Sequence, residues 1–249
     1  MEPVKINWTK YAAPQPFFHL AGQCVPWLLT IALLLFVAGC TIGFVLAPSD
    51  VQQGDAYRII YLHVPAAWMS MLIYLAMAFW AALGWAFKTR LSSMMASALA
   101  PTGALFTFLA LWTGALWGKP TWGAWWVWDA RLTSELILLF LYIGFMALQA
   151  AIEEPRRADK AGAVLALVGV INIPVIYFSV LWWNTLHQGA SISLTHAPSM
   201  ALIMLLGILV LTVSCWAYAI AAVFMRVRCI ILEREKNSDW VKIYVGRSR

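Results

Sequence analysis

MALIMLLGILVLTVSCWAYAIAAVFM, residues 200–225, contains no charged residue and is followed at once by Arg226 and Arg228. At a helical rise of about 1.5 Å per residue it reaches well past the ~30 Å of hydrocarbon in a bilayer. Five further apolar runs, roughly 26–47, 59–87, 93–117, 132–152 and 161–183, are long enough to do the same. Hydrocarbon gives no water to an open strand edge, so all six are expected as helices. The fold expected from sequence is therefore all-α, a membrane protein of six transmembrane helices. Composition agrees: 63% of the 249 residues are hydrophobic and 11% charged, against about 45–50% and about 25% in soluble domains. No internal repeat or linker divides the chain, so residues 1–249 are expected to form a single membrane domain. Pro65 lies near the start of the second run, which either begins at that proline or begins near Tyr57 and kinks there. Both readings keep His63 close to the membrane surface.

Six spans put both termini on one side, and the cations choose it. Lys5, Lys10, Lys88, Arg90, Arg156, Arg157, Lys160, Arg226, Arg228, Arg234, Lys236, Lys242, Arg247 and Arg249 share the side of the termini, while Arg58, Lys119 and Arg131 are left on the other. The positive-inside rule makes the first side cytoplasmic. The formal net charge of +6 then reflects topology, with a basic cytoplasmic tail over 226–249 suited to anionic membrane lipids or a cytoplasmic partner. Nothing indicates nucleic acid: no Gly-rich phosphate loop or aromatic-basic sheet pattern accompanies the charge. Cys24, Cys40, Cys215 and Cys229 avoid the outward loops and show no C-x-x-C spacing, which argues for free thiols. VAGC at 37–40 resembles a lipoprotein cleavage box, but apolar sequence continues past it and the run is expected to stay as a helix.

The cytoplasmic connections are short, and the chemistry-bearing residues gather outside. Between the third and fourth spans lies a Trp-rich loop, WGAWWVWDARLTSEL at 122–136. On a short helix the spacing of Trp122, Trp125, Trp126 and Trp128 sets most of the indoles along one side. An aromatic belt at headgroup level accounts for scattered tryptophans such as Trp80, Trp85 or Trp216. Four indoles in seven positions instead make a surface, suited to a large planar apolar ligand at about 0.5–1.5 kcal/mol per ring beyond area burial. His63 and His187 lie in different outward connections, and two neutral imidazoles flanking such a platform could hold one metal ion from opposite faces. His196 could replace either, although Pro198 marks it as the entry to the last helix. Arg58 and Arg131 either snorkel to the interface or pair with ligand carboxylates, which Arg does in bidentate fashion. Asp129 is placed to cap the fourth helix. Glu135, ionisable and inside the membrane, calls for a partner, with Arg131 at i−4 the nearest candidate. An apolar plate, two axial nitrogens for iron and cations for two carboxylates are together the requirements of haem.

The same stretches carry a resemblance. WGAWWVWDARLTSEL is similar to the tryptophan-rich signature of the WWD-domain haem-handling proteins of cytochrome c biogenesis, and YLHVPAAW and WWNTLHQG are similar to their two histidine motifs. With six spans in 249 residues, the chain resembles the haem exporter C branch of that family along nearly its whole length. The resemblance implies non-covalently held haem (haem b) as transported ligand on the periplasmic face of a bacterial inner membrane, with His63 and His187 as axial ligands. Trp122, Trp125, Trp126, Trp128 and Asp129 belong to the motif, and Arg58 and Arg131 match basic positions beside it. Implied partners are a periplasmic haem chaperone, the ATPase and membrane subunits of an ABC transporter, and a small single-span subunit. The implied role is delivery, not catalysis. The alternatives are a haem lyase, whose relatives are generally larger, a small-molecule transporter, for which the mid-membrane stretches carry too few ionisable groups, and a scaffold, which would leave the outward motifs unaccounted for.

Overall fold

The computed structural model describes residues 8–183, 185–187, 198 and 200–247. Its helices are α1 (Pro14–Cys40), α2 (Ile60–Phe87), α3 (Arg90–Trp122), α4 (Ala130–Ala151), α5 (Pro155–Gly169), α6 (Asn172–Trp182), α7 (Leu202–Arg234) and α8 (Asp239–Arg247). Thr41–Leu46 prolongs α1 as π-helix, and a 3-10 turn, Asp55–Ile59, leads into α2. Among the described residues, six helical stretches are long and apolar enough to cross a membrane: Pro14–Leu46, Asp55–Phe87, Arg90–Trp122, Ala130–Ala151, Pro155–Trp182 and Leu202–Arg234. The all-α, six-span architecture expected from sequence is therefore present.

Several boundaries differ from the apolar runs, for reasons found in tertiary contacts. The first span starts at Pro14, well before residue 26, because the extra turns are covered by the C-terminal helix. Phe18 there packs on Trp240 and Tyr244 of α8 at ring separations of 5.6 and 5.0 Å. Of the two readings of Pro65, the earlier start holds, since α2 is already helical at Ile60 and continues through the proline. The fifth span is broken at Val170 and Ile171 into α5 and α6, where Asn172 Nδ2 donates to the Ser134 carbonyl at 2.8 Å. The expected tail at 226–249 is largely helical, as the last turns of α7 and as α8. Each arginine in those turns has a home on another element. Arg226 donates to Thr102, Arg228 lies 4.5 Å over the Phe18 ring, and Arg234 makes a two-pronged bridge to Asp159 at 2.8 and 2.9 Å. Cys24, Cys40, Cys215 and Cys229 are free thiols.

Packing holds the helices in two close pairs, α2 with α3 and α1 with α7, with α4 laid against α3, α5 and α6. The core between α2, α3 and α4 is built on Tyr74, Met77, Met94, Leu138, Tyr142 and Phe145, all essentially buried. Lipid tails are as apolar as leucine, so helix association in a bilayer rests on close contact and interhelical hydrogen bonds. Both occur here: Gly103 lies directly against the Tyr142 ring, whose hydroxyl donates to the Ser70 carbonyl of α2 at 2.8 Å. These contacts set α2, α3 and α4 around the end opposite the termini, where the outward motifs converge.

Candidate functional site

A cavity of about 60 Å³ opens between the outer ends of α2, α3 and α4, with His63, Trp117, Trp122, Arg131, Glu135 and His187 among its lining. His63 stands in the first turn of α2, two residues before Pro65. Its Nδ1 lies 3.0 Å from the Thr113 hydroxyl of α3. That hydroxyl has a single proton, committed to the Leu109 carbonyl at 2.6 Å. Thr113 is therefore the acceptor and His63 Nδ1 carries the hydrogen, which leaves the Nε2 lone pair available for a metal. Gly114 flanks the ring closely, and Trp117 meets it edge-on at 5.7 Å, so the imidazole is held from three sides.

His187 comes from the connection after α6, and its ring centre lies 6.3 Å from that of His63 with the planes 36° apart. A metal bound between two imidazoles requires two metal–nitrogen bonds of about 2.0–2.1 Å. Adding the ~1.1 Å from each nitrogen to its ring centre, fixed by C–N bonds of about 1.33 Å, gives roughly 6.3 Å. The two rings thus stand at the separation that one shared ion demands. Among the described residues no group of three or more His, Cys, Asp or Glu side chains could hold a metal. Two imidazoles alone are a poor set for a bare ion, whereas a metal that brings equatorial nitrogens of its own needs only two axial ones.

The tryptophans divide into an inner and an outer group. Trp122 is the last residue of α3 and meets the His187 ring at 6.2 Å. The helix stops there because Gly123 adopts φ +76° and closes back on the Lys119 carbonyl at 3.1 Å, a left-handed C-cap. Trp125, Trp126 and Trp128 consequently follow in a non-helical linker and do not continue the face of α3, contrary to the short-helix expectation. Trp128 is 77% exposed and packs edge-on against half-buried Trp126 at 5.4 Å, while the exposed Trp125 lies under Lys119 Nζ at 5.9 Å. None of the three lines the cavity; they lie in the linker that joins its wall at Trp122 to α4. Asp129 caps α4 as expected, accepting from the Leu132 N–H at 2.8 Å.

The charged residues also separate. Arg131 lines the cavity, and its Nη1 donates to the Ile176 carbonyl of α6 at 2.8 Å. Arg58 does not line it; Nη1 donates to the Gly43 carbonyl at 2.8 Å and Nε pairs with Asp55 at 2.9 Å, pinning the α1–α2 connection. Glu135, 6% exposed, takes its hydrogen bond from Ser70 of α2 at 2.7 Å and not from Arg131. Trp117, Thr113 and Gln53 are site residues that the Trp-rich stretch does not reveal. Trp117 Nε1 donates to Gln53 Oε1 at 2.7 Å, tying the α1–α2 connection to the cavity wall. The spacing of Ala110, Thr113, Gly114, Trp117 and Thr121 along one face of α3 was the available signal. His196 lies outside the described residues.

A six-span helical bundle that brings two histidines, two tryptophans and one arginine to a single cavity at the outer ends of α2, α3 and α4 defines a multi-pass membrane protein with these side chains gathered at one end. The chain belongs to the heme exporter protein C family, whose sequence profile it matches over residues 7–242. It is 46% identical over 234 residues to the heme exporter protein C of Escherichia coli strain K12, which covers 92% of this chain and 93% of the relative. Against the heme exporter protein C of Bradyrhizobium diazoefficiens it is 44% identical over 228 residues, 91% of this chain and 86% of the relative. A Marchantia polymorpha protein described as a putative cytochrome c biosynthesis ccmC-like mitochondrial protein is 51% identical over 174 residues, 70% of each chain.

Proposed function

We propose that this protein binds haem as cargo at the outer end of α2, α3 and α4 and presents it for cytochrome c maturation. The separation of His63 and His187 carries the reading, because it suits one iron between two imidazoles. The names of the relatives, heme exporter protein C and a protein of cytochrome c biosynthesis, point the same way. His63 and His187 bind the iron, Trp122 borders the macrocycle, and Arg131 is the cation within reach of a propionate. Trp125, Trp126 and Trp128, in the α3–α4 linker with Asp129 fixing the start of α4, offer an aromatic surface to the receiving protein. Arg58 contributes by fixing the α1–α2 connection.

The distribution of Lys and Arg supports cytoplasmic termini, with the cavity then on the periplasmic side of a bacterial inner membrane. Haem is then passed to a periplasmic chaperone, in an assembly with an ABC transporter and a small single-span subunit. A carrier has to release what it holds, and two ligands from separate elements allow stepwise release: displacing His187 opens the iron while His63 retains it.

Titration of the detergent-purified protein with hemin tests this directly. The expected result is saturable uptake with the sharp Soret band of six-coordinate, low-spin iron; a chain that stays colourless overturns the reading. Thr113→Val probes the support of the axial ligand. Losing the acceptor for Nδ1–H frees the ring and its tautomer, and such supporting contacts typically contribute 10–100-fold in metal affinity. Hemin binding by Thr113→Val is expected to weaken by about that factor; wild-type affinity would remove Thr113 from the site.

A further inference from the structure

A second cavity, of about 500 Å³, lies outside the site just described, between the walls of α1 and α3 with α2 and α7 as its floor. It exists because α1 packs on α7 and leaves a gap to α3. Leu33, Phe36 and Trp112 on its walls are exposed at the sides, so in a bilayer the groove opens to hydrocarbon. Its lining is almost wholly apolar, and two of its hydroxyls are satisfied internally. Ser214 donates to the Ala32 carbonyl at 2.7 Å and Thr113 to that of Leu109 at 2.6 Å. Tyr61 is different: it lines the groove, is 1% exposed, and its hydroxyl has no hydrogen-bond partner. Gly43 and Gly207 clasp the ring close to Cγ and Cε1, which fixes it in place. A buried hydroxyl without an acceptor is costly, so an occupant of this groove that brings one to Tyr61 gains by it.

Length selects among occupants. The groove runs from Leu29 to Phe36 on α1 and from Leu105 to Thr113 on α3, which at 1.5 Å per residue is about 10–12 Å. A helix crossing the membrane would need a track of ~30 Å, about two leaflets. One leaflet of hydrocarbon is the better match. Tyr61 is the second residue of α2, at the same end as His63, so a lipid whose acyl chain runs along the groove from that end would carry its ester carbonyls there. We infer that the α1–α3 groove is a binding site for one phospholipid of the leaflet at the His63 end, an acyl chain lying along it and an ester carbonyl accepting from Tyr61. Thr113 belongs both to the groove wall and to the hydrogen bond with His63. The lipid therefore backs the element that steadies the axial histidine.

Native mass spectrometry of the full chain, stripped in lipid-free detergent and re-incubated with 1-palmitoyl-2-oleoylphosphatidylethanolamine, tests the assignment. One lipid is expected to remain on the wild type under activation that removes the detergent. Leu33→Trp, which projects bulk into the groove from an exposed wall position, is expected to lose it. Tyr61→Phe, which removes only the hydroxyl, is expected to hold it about threefold to tenfold more weakly, the worth of one hydrogen bond. Circular dichroism confirms that both variants keep the wild-type helix content. The inference is overturned by a wild type that retains no lipid, by either variant retaining it as well as the wild type, or by an adduct with the mass of haem or of another polypeptide. It does not depend on the haem reading, since hemin is absent from the experiment.

Discussion

Alanine at His63 is expected to abolish stable haem retention, and alanine at His187 to leave a weaker, five-coordinate complex. The difference follows from how each ring is held. His63 is fixed by the Thr113 hydroxyl at 3.0 Å, the Trp117 edge and the neighbouring Gly114, so its Nε2 is presented with little freedom left to lose. His187 belongs to an inter-helix connection beside the Trp122 ring at 6.2 Å, so its backbone is not fixed by a helical turn as that of His63 is. A four-ligand structural metal site gains about 10–16 kcal/mol, so one nitrogen ligand is of order 3 kcal/mol, about 100-fold in affinity. Hemin affinity of His187→Ala is expected to fall by about that factor, with the Soret band shifting to a high-spin form. The space left by the imidazole should accept free imidazole from solution, which restores the six-coordinate spectrum. His63→Ala loses the pre-organised ligand, and added imidazole should recover less. Unchanged spectra and affinities in both variants would place the iron elsewhere. Loss of binding with no rescue in His187→Ala would point to collapse of the cavity instead of loss of a ligand.

The features that were legible in the sequence are those written into one segment. Six apolar runs announce six spans because length and hydrophobicity are local properties. Asp129 before an apolar run announces an N-cap for the same reason. The helical continuation from residue 226 to Arg234 was not legible, because the residues that accept Arg226, Arg228 and Arg234 lie on α3, α1 and α5. In the site, the sequence singled out His63, His187, Trp122 and Arg131, and the fold brings all four to one cavity. It could not show that Thr113, fifty residues away, would orient His63. Glu135 shows the same limit from the other side: a helical i−4 arginine is the obvious local partner, yet Arg131 reaches the Ile176 carbonyl and Glu135 turns to Ser70. The Trp-rich stretch divides because of one backbone conformation, the positive φ of Gly123, which ends helical periodicity after Trp122.

Gly103→Ala, a change of one methyl group, is expected to destabilise the bundle more than any single cap or surface substitution. A Cβ at this position would fall well inside 3.0 Å of the Tyr142 ring and hydroxyl, a distance that Cβ atoms do not enter. The ring has nowhere to go. It is fully buried, meets Tyr74 edge-on at 5.1 Å, and its hydroxyl is spent on the Ser70 carbonyl at 2.8 Å. Tyr74 cannot yield in turn, because its own hydroxyl abuts Gly169 of α5. Relief therefore requires α3 and α4 to separate, at about 1–3 kcal/mol for overpacking. Pulling the Tyr142 hydroxyl from its acceptor adds about 1–3 kcal/mol more. Ser70 also holds Glu135 in the cavity lining, so the displacement is transmitted to the site, and hemin affinity should fall together with thermal stability. Gly144→Ala on α4 is the matched control, since its Cβ would meet only a Leu165 methyl at 3.4 Å. With ordinary contact and better helix propensity by about 1 kcal/mol, it should melt at or above the wild-type temperature. Thermal unfolding in detergent, followed by tryptophan fluorescence, separates the two. If Gly103→Ala melts with the wild type, the α3–α4 contact is looser than the Tyr142 packing requires, and the cavity floor built on it loses its support.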